Sequence, residues 1–334
     1  MKNRLVEAWY RGSLWLWLLW PLSMLFGLLV IMRRQMYRLG LRPVYRAAVP
    51  VVVVGNITVG GSGKTPLLLA MVEGLRAAGF RPGVVSRGYG GQTEYPACVG
   101  RDSNAAEVGD EPLLIAIRSG VPVVVDPIRP RAVKKLLDEF SCDVVLADDG
   151  LQHYPLARDV EICVVDAKRG LGNAQLLPMG PLRESYGRLY TVDYIVVNGG
   201  NGNIFPGEVD MHLQAEPWQP LRGLRDARMP PAPGSQVHAL AGIGHPQRFF
   251  TMLREQGFEV IEHAFPDHHA YSAADLQFGD GLPVVMTEKD AVKCRQLAGD
   301  NCWYVPVTAV LPPTFYATLI EDLRRLRLRK HRFG

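Results

Sequence analysis

The chain has 334 residues, 48% of them hydrophobic and 21% charged, which is enough for two α/β domains of ordinary size with self-sufficient cores. Its five cysteines, Cys98, Cys142, Cys163, Cys294 and Cys302, include no C-x-x-C pair. That argues against a disulfide framework or a zinc site and fits a reducing compartment. The formal net charge of +4 is mild and points to no nucleic-acid partner; the basic residues crowd the two ends, at Arg33, Arg34, Arg38, Arg42 and Arg46 and from Arg324 to Arg332.

Leu14 to Met32 reads LWLWLLWPLSMLFGLLVIM, without a charge. As a helix this run covers roughly 28 Å, close to a bilayer core. Only RRQMYR follows, with no small-residue cleavage site, so the segment is expected to be retained. Positive charge flanks it on both sides, which blunts the orientation rule, and Pro21, Ser23 and Gly27 weaken a straight span. Two readings stand: a single-pass anchor, and a helix lying in the cytoplasmic leaflet with Trp9, Trp15, Trp17 and Trp20 near the headgroups. A buried core helix is the plainer alternative, and the tryptophans and basic flanks argue against it. Either membrane reading requires the nucleotide site to face the cytoplasm.

The next stretch is AAVPVVVVGNITVGGSGKTP, Ala47 to Pro66. Val51 to Val54 predicts a strand buried on both faces, and the glycines followed by Lys64 and Thr65 predict a turn into a helix. In such a phosphate-binding loop Gly60, Gly61 and Gly63 let backbone N–H groups converge on an anion. Lys64 adds charge for the β- and γ-phosphates, and the Thr65 hydroxyl can hold Mg²⁺. Thr58 stands where the generic G-x-x-x-x-G-K-[ST] pattern has its first glycine. The order strand, loop, helix supports nucleotide binding over an ordinary glycine turn.

α/β alternation follows. LLLAMVEGLRAA stops at Gly79; Val84 and Val85 predict a strand ending in SRGYGG, a ligand-side turn of an open sheet. Gly109-Asp110-Glu111-Pro112 opens a helix, where an acidic pair is most simply a helix-dipole feature. Val121 to Val125 predicts a strand, Arg129 to Phe140 a helix and Asp143 to Ala147 another strand, ending in Asp148-Asp149-Gly150-Leu151-Gln152-His153. Adjacent aspartates at the end of an apolar strand, downstream of such a loop, match a Walker B arrangement in which a carboxylate reaches Mg²⁺. His153 is either a turn histidine or a phosphate contact. Glu161 to Val165 predicts a strand leading into a loop with Arg169 and Arg183, a plausible substrate-phosphate site. Tyr194 to Val197 predicts the last strand of this half.

MPPAPGS, Met229 to Ser235, reads as a linker into a smaller α/β unit. Its predicted elements are strand Val237 to Ala241, helix Gln247 to Gln256, strand Glu259 to Glu262, strand Pro283 to Met286 and helix Thr314 to Leu328. Asp267-His268-His269 lacks further ligands at metal spacing, so a histidine in proton transfer or orienting a carboxylate is the sharper reading. The terminal RRLRLRK is most simply a solvated face, with some attraction for anionic lipid.

Taken together, VGNITVGGSGKTP, SRGYGG, GDEP, DDGLQH, GPLRE, FPDHH and TEKDA, in this order behind an apolar basic-flanked N-terminus, resemble the tetraacyldisaccharide 4′-kinase family of lipid A biosynthesis over nearly the whole chain. The resemblance implies ATP-dependent, Mg²⁺-assisted phosphorylation of the 4′-hydroxyl of a tetraacyldisaccharide 1-phosphate to lipid IVA, at the cytoplasmic face of a Gram-negative inner membrane. It implies a P-loop NTPase-like α/β fold, a mostly parallel sheet with helices on both faces, joined by a second smaller α/β domain and an N-terminal hydrophobic membrane-associating helix. The expected boundaries are 1–46 for the membrane-associating helix and basic flank, 47–228 for the kinase domain and 229–334 for the smaller domain, which is expected to contribute to the cleft. Family roles fall on Ser62, Gly63, Lys64 and Thr65 at the triphosphate, on Asp148 and Asp149 near the metal with Thr65 and Glu111, and on Asp110 as base partnered by His268. Arg87, Tyr89, Gln152, His153, Asn173 and Arg183 are the expected substrate contacts. Gly91 departs from the family, which commonly has arginine or lysine there. The expected partners are the acylated disaccharide lipid and the membrane surface, with no obligate protein partner. The rival is a membrane-associated P-loop ATPase or GTPase switch, which shares the loop and the acidic strand end but needs no Asp–His pair.

Overall fold

The computed structural model of the protein describes residues 2–222 and 229–333; the boundary expected after residue 228 falls at the edge of the residues outside that description. The chain forms two compact units that are interleaved in sequence. The first takes residues 1–87, 121–213 and 309–334, and the second takes 88–120 and 214–308. This partition does not follow the linear boundaries at 47–228 and 229–334. The GDEP segment goes to the second unit, and the C-terminal helix returns to the first.

The first unit is built on strands β1 (Val51–Gly55), β2 (Pro82–Ser86), β3 (Val123–Val125), β4 (Val144–Asp148), β5 (Val160–Asp166), β6 (Tyr194–Asn198) and β7 (Val209–Ala215). They lie side by side as β7-β6-β5-β1-β4-β2-β3, each neighbouring pair parallel. The run of valines explains why β1 is central, since Val51 to Val54 are fully buried and every residue of the strand can face apolar neighbours. On one side Val51 and Val53 pack with Ala132, Val133 and Leu136 of the Arg129–Glu139 helix. Register places Val54 opposite Asp148 and Gly55 opposite Cys163. Because the strands are parallel, Gly55, Ser86, Asp148, Asp166 and Asn198 end at one edge of the sheet, where open α/β sheets bind ligands.

The helix Pro313–Phe333 belongs to this unit and buries Phe315, Leu319 and Leu323. Its basic end is not a simple solvated face. Lys330 donates to the carbonyls of Ala47 and Val49 and pairs with Asp159, while Arg327 pairs with Asp143.

The apolar N-terminus differs from a single straight helix. An α-helix at Lys2–Arg11 ends at Gly12, whose φ is 70°; a 3₁₀ helix follows at Leu14–Leu19, and a second α-helix spans Trp20–Arg38 with Pro21 in its first turn, where a missing N–H costs little. Leu14–Arg38 is long and apolar enough to cross a membrane by length and composition, and only 17% of its most apolar window is buried, which rules out a buried core helix. One side is nevertheless docked: Leu16, Ser23 and Gly27 are buried, the Ser23 hydroxyl donates to the Leu176 carbonyl, and Arg34 donates to Thr191.

The second unit holds strands β8 (Gln219–Pro220), β9 (Gln236–Ala241), β10 (Glu259–Ala264), β11 (Val284–Thr287) and β12 (Cys302–Val305), ordered β10-β9-β11-β12-β8 with only the last pair antiparallel. The helices Asp110–Ser119 and Glu288–Cys294 are joined by a bidentate bond from Arg118 Nη1 to Glu288, 2.8 and 3.0 Å.

Candidate active site

The phosphate loop of the first unit leaves β1 at Gly55 and enters the Lys64–Ala77 helix through Gly63, whose φ of 96° is costly for other residues. Gly60 is also left-handed, with φ 107°. Thr58 needs no glycine. It has ordinary φ and is bridged antiparallel to Leu182, with the Val59 N–H donating to Pro181 and the Arg183 N–H to Ile57. The GPLRE segment thus braces the loop from outside. Asn56 donates to the Gly60 carbonyl and Asn198 to the Ser62 carbonyl, fixing the inner side. The buried Ser62 hydroxyl has no hydrogen-bond partner among the described residues, as suits a group that meets a phosphate oxygen.

Lys64 Nζ lies 3.5 Å from Asp149, and Arg183 donates to the same carboxylate at 3.0 Å. Burial pushes the Asp149 carboxyl up, but Lys64 and Arg183 outweigh it and hold it below its usual range. Asp149 also has a positive φ of 46°, uncommon for a non-glycine residue and costly enough to require support from its surroundings. Asp148, at the end of β4, is buried; it accepts from the Ser86 hydroxyl, and its main-chain oxygen accepts from Arg129. The buried Arg129 guanidinium also donates to the Asp126 carbonyl, and desolvation lowers its pKa to about 10. No group of three or more His, Cys, Asp or Glu side chains able to hold a metal occurs among the described residues. Mg²⁺ in phosphoryl-transfer sites is held by one or two carboxylates together with phosphates and waters, so Asp148, Asp149 and Thr65 suit it in chemistry and number.

In the second unit Asp110 opens its helix behind Gly109, whose φ is 92°. Asp110 is buried and faces His268, with Nδ1 lying 3.0 and 3.1 Å from its two oxygens. Burial raises the Asp110 carboxyl, but the His268 hydrogen bond and Lys289 outweigh it, leaving it below the usual range; the same hydrogen bond raises His268 against its own burial. His268 has a positive φ of 63°, and the exposed Tyr89 ring lies 5.1 Å from its imidazole. Lys289 Nζ sits 2.9 Å from Glu111, 3.3 Å from Asp267 and 3.9 Å from Asp110. Burial opposes its charge, but the three carboxylates keep it protonated. Glu111, expected at the metal, is therefore engaged by an ammonium group within its own unit.

The remaining expected contacts separate. Gln152 links the Asn56 carbonyl to Glu184, so it anchors the loop after β4. His153 Nε2 accepts from the Arg129 N–H, and burial among arginines lowers its pKa to about 3, so in this structure it serves the turn. Asn173 donates to the Met179 carbonyl and accepts from Gln175 N–H, folding its own loop. Arg87 is exposed just beyond β2. A side chain at Gly91 would meet the Glu107 carbonyl oxygen at 2.3 Å, so a larger residue there would require the backbone to shift. Sequence reasoning missed Ser86, Arg129, Asn198, Glu184 and Lys289. Ser86, Glu184 and Lys289 lie inside SRGYGG, GPLRE and TEKDA, whose presence was visible without their roles.

A family model for tetraacyldisaccharide-1-P 4′-kinase matches residues 15–324. A tetraacyldisaccharide 4′-kinase of Tolumonas auensis is 51% identical over 324 residues, covering 96% of this chain and 98% of that one. Another, of Pseudomonas paraeruginosa, is 51% identical over 329 residues, covering 98% and 99%. Among solved structures, LpxK from Aquifex aeolicus in complex with ATP superposes with a TM-score of 0.77 at 26% identity, covering 94% of this chain and 99% of that one.

Proposed function

Since the chain belongs to the tetraacyldisaccharide 4′-kinase family, we propose that its Lys64 loop holds the phosphoryl donor and that the Asp110–His268 pair takes the proton from the acceptor hydroxyl. The protein is an ATP-dependent kinase that phosphorylates the 4′-hydroxyl of a tetraacyldisaccharide 1-phosphate, a lipid A precursor. The hydroxyl oxygen bonds to the γ-phosphorus as the bond to ADP breaks, and the hydroxyl proton needs an acceptor.

The observation that carries the assignment is the 3.0 Å contact of His268 with Asp110. A carboxylate held at low pKa is a poor base alone. Coupled to an imidazole, it orients the ring and stabilises the imidazolium that forms when the proton arrives. Gly60, Gly61, Ser62, Gly63, Lys64 and Thr65 cradle the triphosphate. Asp148 and Asp149 are the carboxylates that would hold Mg²⁺, the usual ion, which when bound would offset charge on the phosphate oxygens. Asp110→Ala and His268→Ala should each lower kcat by about 100- to 10,000-fold with ATP KM little changed. The double variant should lose far less than the product of the singles. Additive losses would refute the pair.

The N-terminal helix supports the membrane-associated part of this reading. Leu16, Ser23, Gly27 and Arg34 hold one side of it along its length to the first unit, so lipid cannot surround it. The opposite side exposes Leu14, Trp17, Leu18, Leu25 and Leu28. A helix of this kind lies in the cytoplasmic interface and brings the kinase to a substrate whose acyl chains stay in the bilayer.

A further inference from the structure

The loop after β5 carries Arg169, and its placement is over-determined. Asp166 Oδ1 accepts from the Lys168 and Arg169 N–H groups, at 3.1 and 3.0 Å, and the Gly170 N–H closes on the Asp166 carbonyl at 2.7 Å. From this turn the guanidinium reaches the phosphate loop. A Cβ built on Gly60 would lie 2.7 Å from Arg169 Nη1 and 3.4 Å from its Cζ. Its other neighbour is Tyr10, whose ring centroid is 4.8 Å from Cζ. No carboxylate pairs with Arg169 among the described residues, in contrast to Lys64 and Arg183, which share Asp149.

Tyr10 is itself held firmly. Its helix, Lys2–Arg11, packs Ala8 and Trp9 with Leu16, Met179 and Val59 of the phosphate loop, and the Trp9 indole donates to the Pro178 carbonyl at 3.0 Å. A half-buried guanidinium resting on an aromatic face keeps its in-plane N–H donors free for an oxyanion, whereas one in an ion pair does not. Gly60 is the residue that lets it approach, because any side chain there would occupy its space.

We propose that Arg169 is a further phosphate-binding residue of the ATP site, and that Tyr10 is its positioning residue, so that the N-terminal helix supplies one wall of the nucleotide site. The anion is the nucleotide's polyphosphate and not the phosphate of the lipid, since the guanidinium lies against the glycine loop that cradles the donor. Leu16, in the 3₁₀ helix that leads into Trp20–Arg38, and Trp9, in the helix that seats Arg169, share one apolar cluster. Disturbing that cluster should therefore be felt as weaker ATP binding.

The test uses the full chain. ADP affinity is measured by titration, ATP and lipid KM in the transfer assay, and folding by thermal melting. Loss of one charge-assisted hydrogen bond predicts that Arg169→Ala raises ADP Kd and ATP KM about tenfold, with lipid KM unaltered. Arg169→Gln serves if Arg169→Ala melts early. Tyr10→Phe, which keeps the ring, should match the wild type; Tyr10→Leu should show part of the loss, and none beyond it in the Arg169→Ala background. Wild-type nucleotide affinity in a folded Arg169 variant overturns the proposal, as does a rise confined to lipid KM. A Tyr10→Leu effect that persists undiminished without Arg169 overturns the role of Tyr10. Transfer by the wild-type enzyme in the same assay separates a failure of this contact from a failure of the kinase reading.

Discussion

At Asp110 and His268 the two shifts run in opposite directions, and together they set a pH dependence. The carboxyl titrates below its ordinary 3.8 and the imidazole above its ordinary 6.5, so between those two pH values the resting pair is carboxylate and imidazolium. Such a pair must shed a proton before it can take one. The acid limb of kcat against pH should accordingly lie above 6.5 and vanish in His268→Ala; a limb unmoved by that substitution would assign it to another group. Stability follows the opposite sense. The histidine's contribution is complete below 6.5 and lost as pH rises through its raised value, and the aspartate's is complete above 3.8 and lost as pH falls through its lowered value. Melting temperatures of wild type and His268→Ala should therefore differ most between pH 3.8 and 6.5 and converge on the alkaline side, where the enzyme is most active.

The N-terminal element shows where sequence reading stops. Its apolar run, basic flanks and Pro21 were all legible, because they are local. The docking of one side was not, since the partner of Ser23 is the carbonyl of Leu176, 153 residues away, and nothing in the local pattern marks Gly27 as packed on the same leucine. The same holds for Asp110, whose position in a first helical turn suggests only a dipole effect; its pairing with His268, 158 residues away, was expected from the family resemblance and not from the local pattern. The two faces of the Trp20–Arg38 helix should now respond differently to change. Leu25→Gln and Leu28→Gln alter only the exposed face and should together weaken binding to anionic vesicles by roughly tenfold or more, with the melting temperature and ADP affinity retained. Gly27→Leu drives a side chain into Leu176 and should lower the melting temperature as well. Vesicle flotation and thermal melting on the same preparations distinguish the two.

For the whole molecule, the strand-by-strand alternation and the acidic ends of β4 and β5 were readable because each depends on a short apolar run and the residue that stops it. The partition into units was not, because it depends on which distant segments pack together. The Pro313–Phe333 helix follows the smaller sheet in sequence yet completes the larger one. Tyr194 of β6 donates to its Asp322, Gly74 abuts its Tyr316, and Lys330 caps the carbonyls of Ala47 and Val49 just ahead of β1. Phe315, Leu319 and Leu323, at 3%, 0% and 0% exposure, each represent about 1.5–3 kcal/mol of burial, and a domain's whole margin is roughly 5–15 kcal/mol. A chain truncated after Arg228 keeps every residue of the phosphate loop and both Asp148 and Asp149. It should nonetheless fail to fold cooperatively and fail to bind ADP, because the apolar surface beneath the missing helix is left in water. Far-ultraviolet circular dichroism during heating and ADP titration test this directly. A sharp melt with nucleotide affinity intact would mean that the first unit is complete without its last helix, and that the linear boundary describes the folding unit after all.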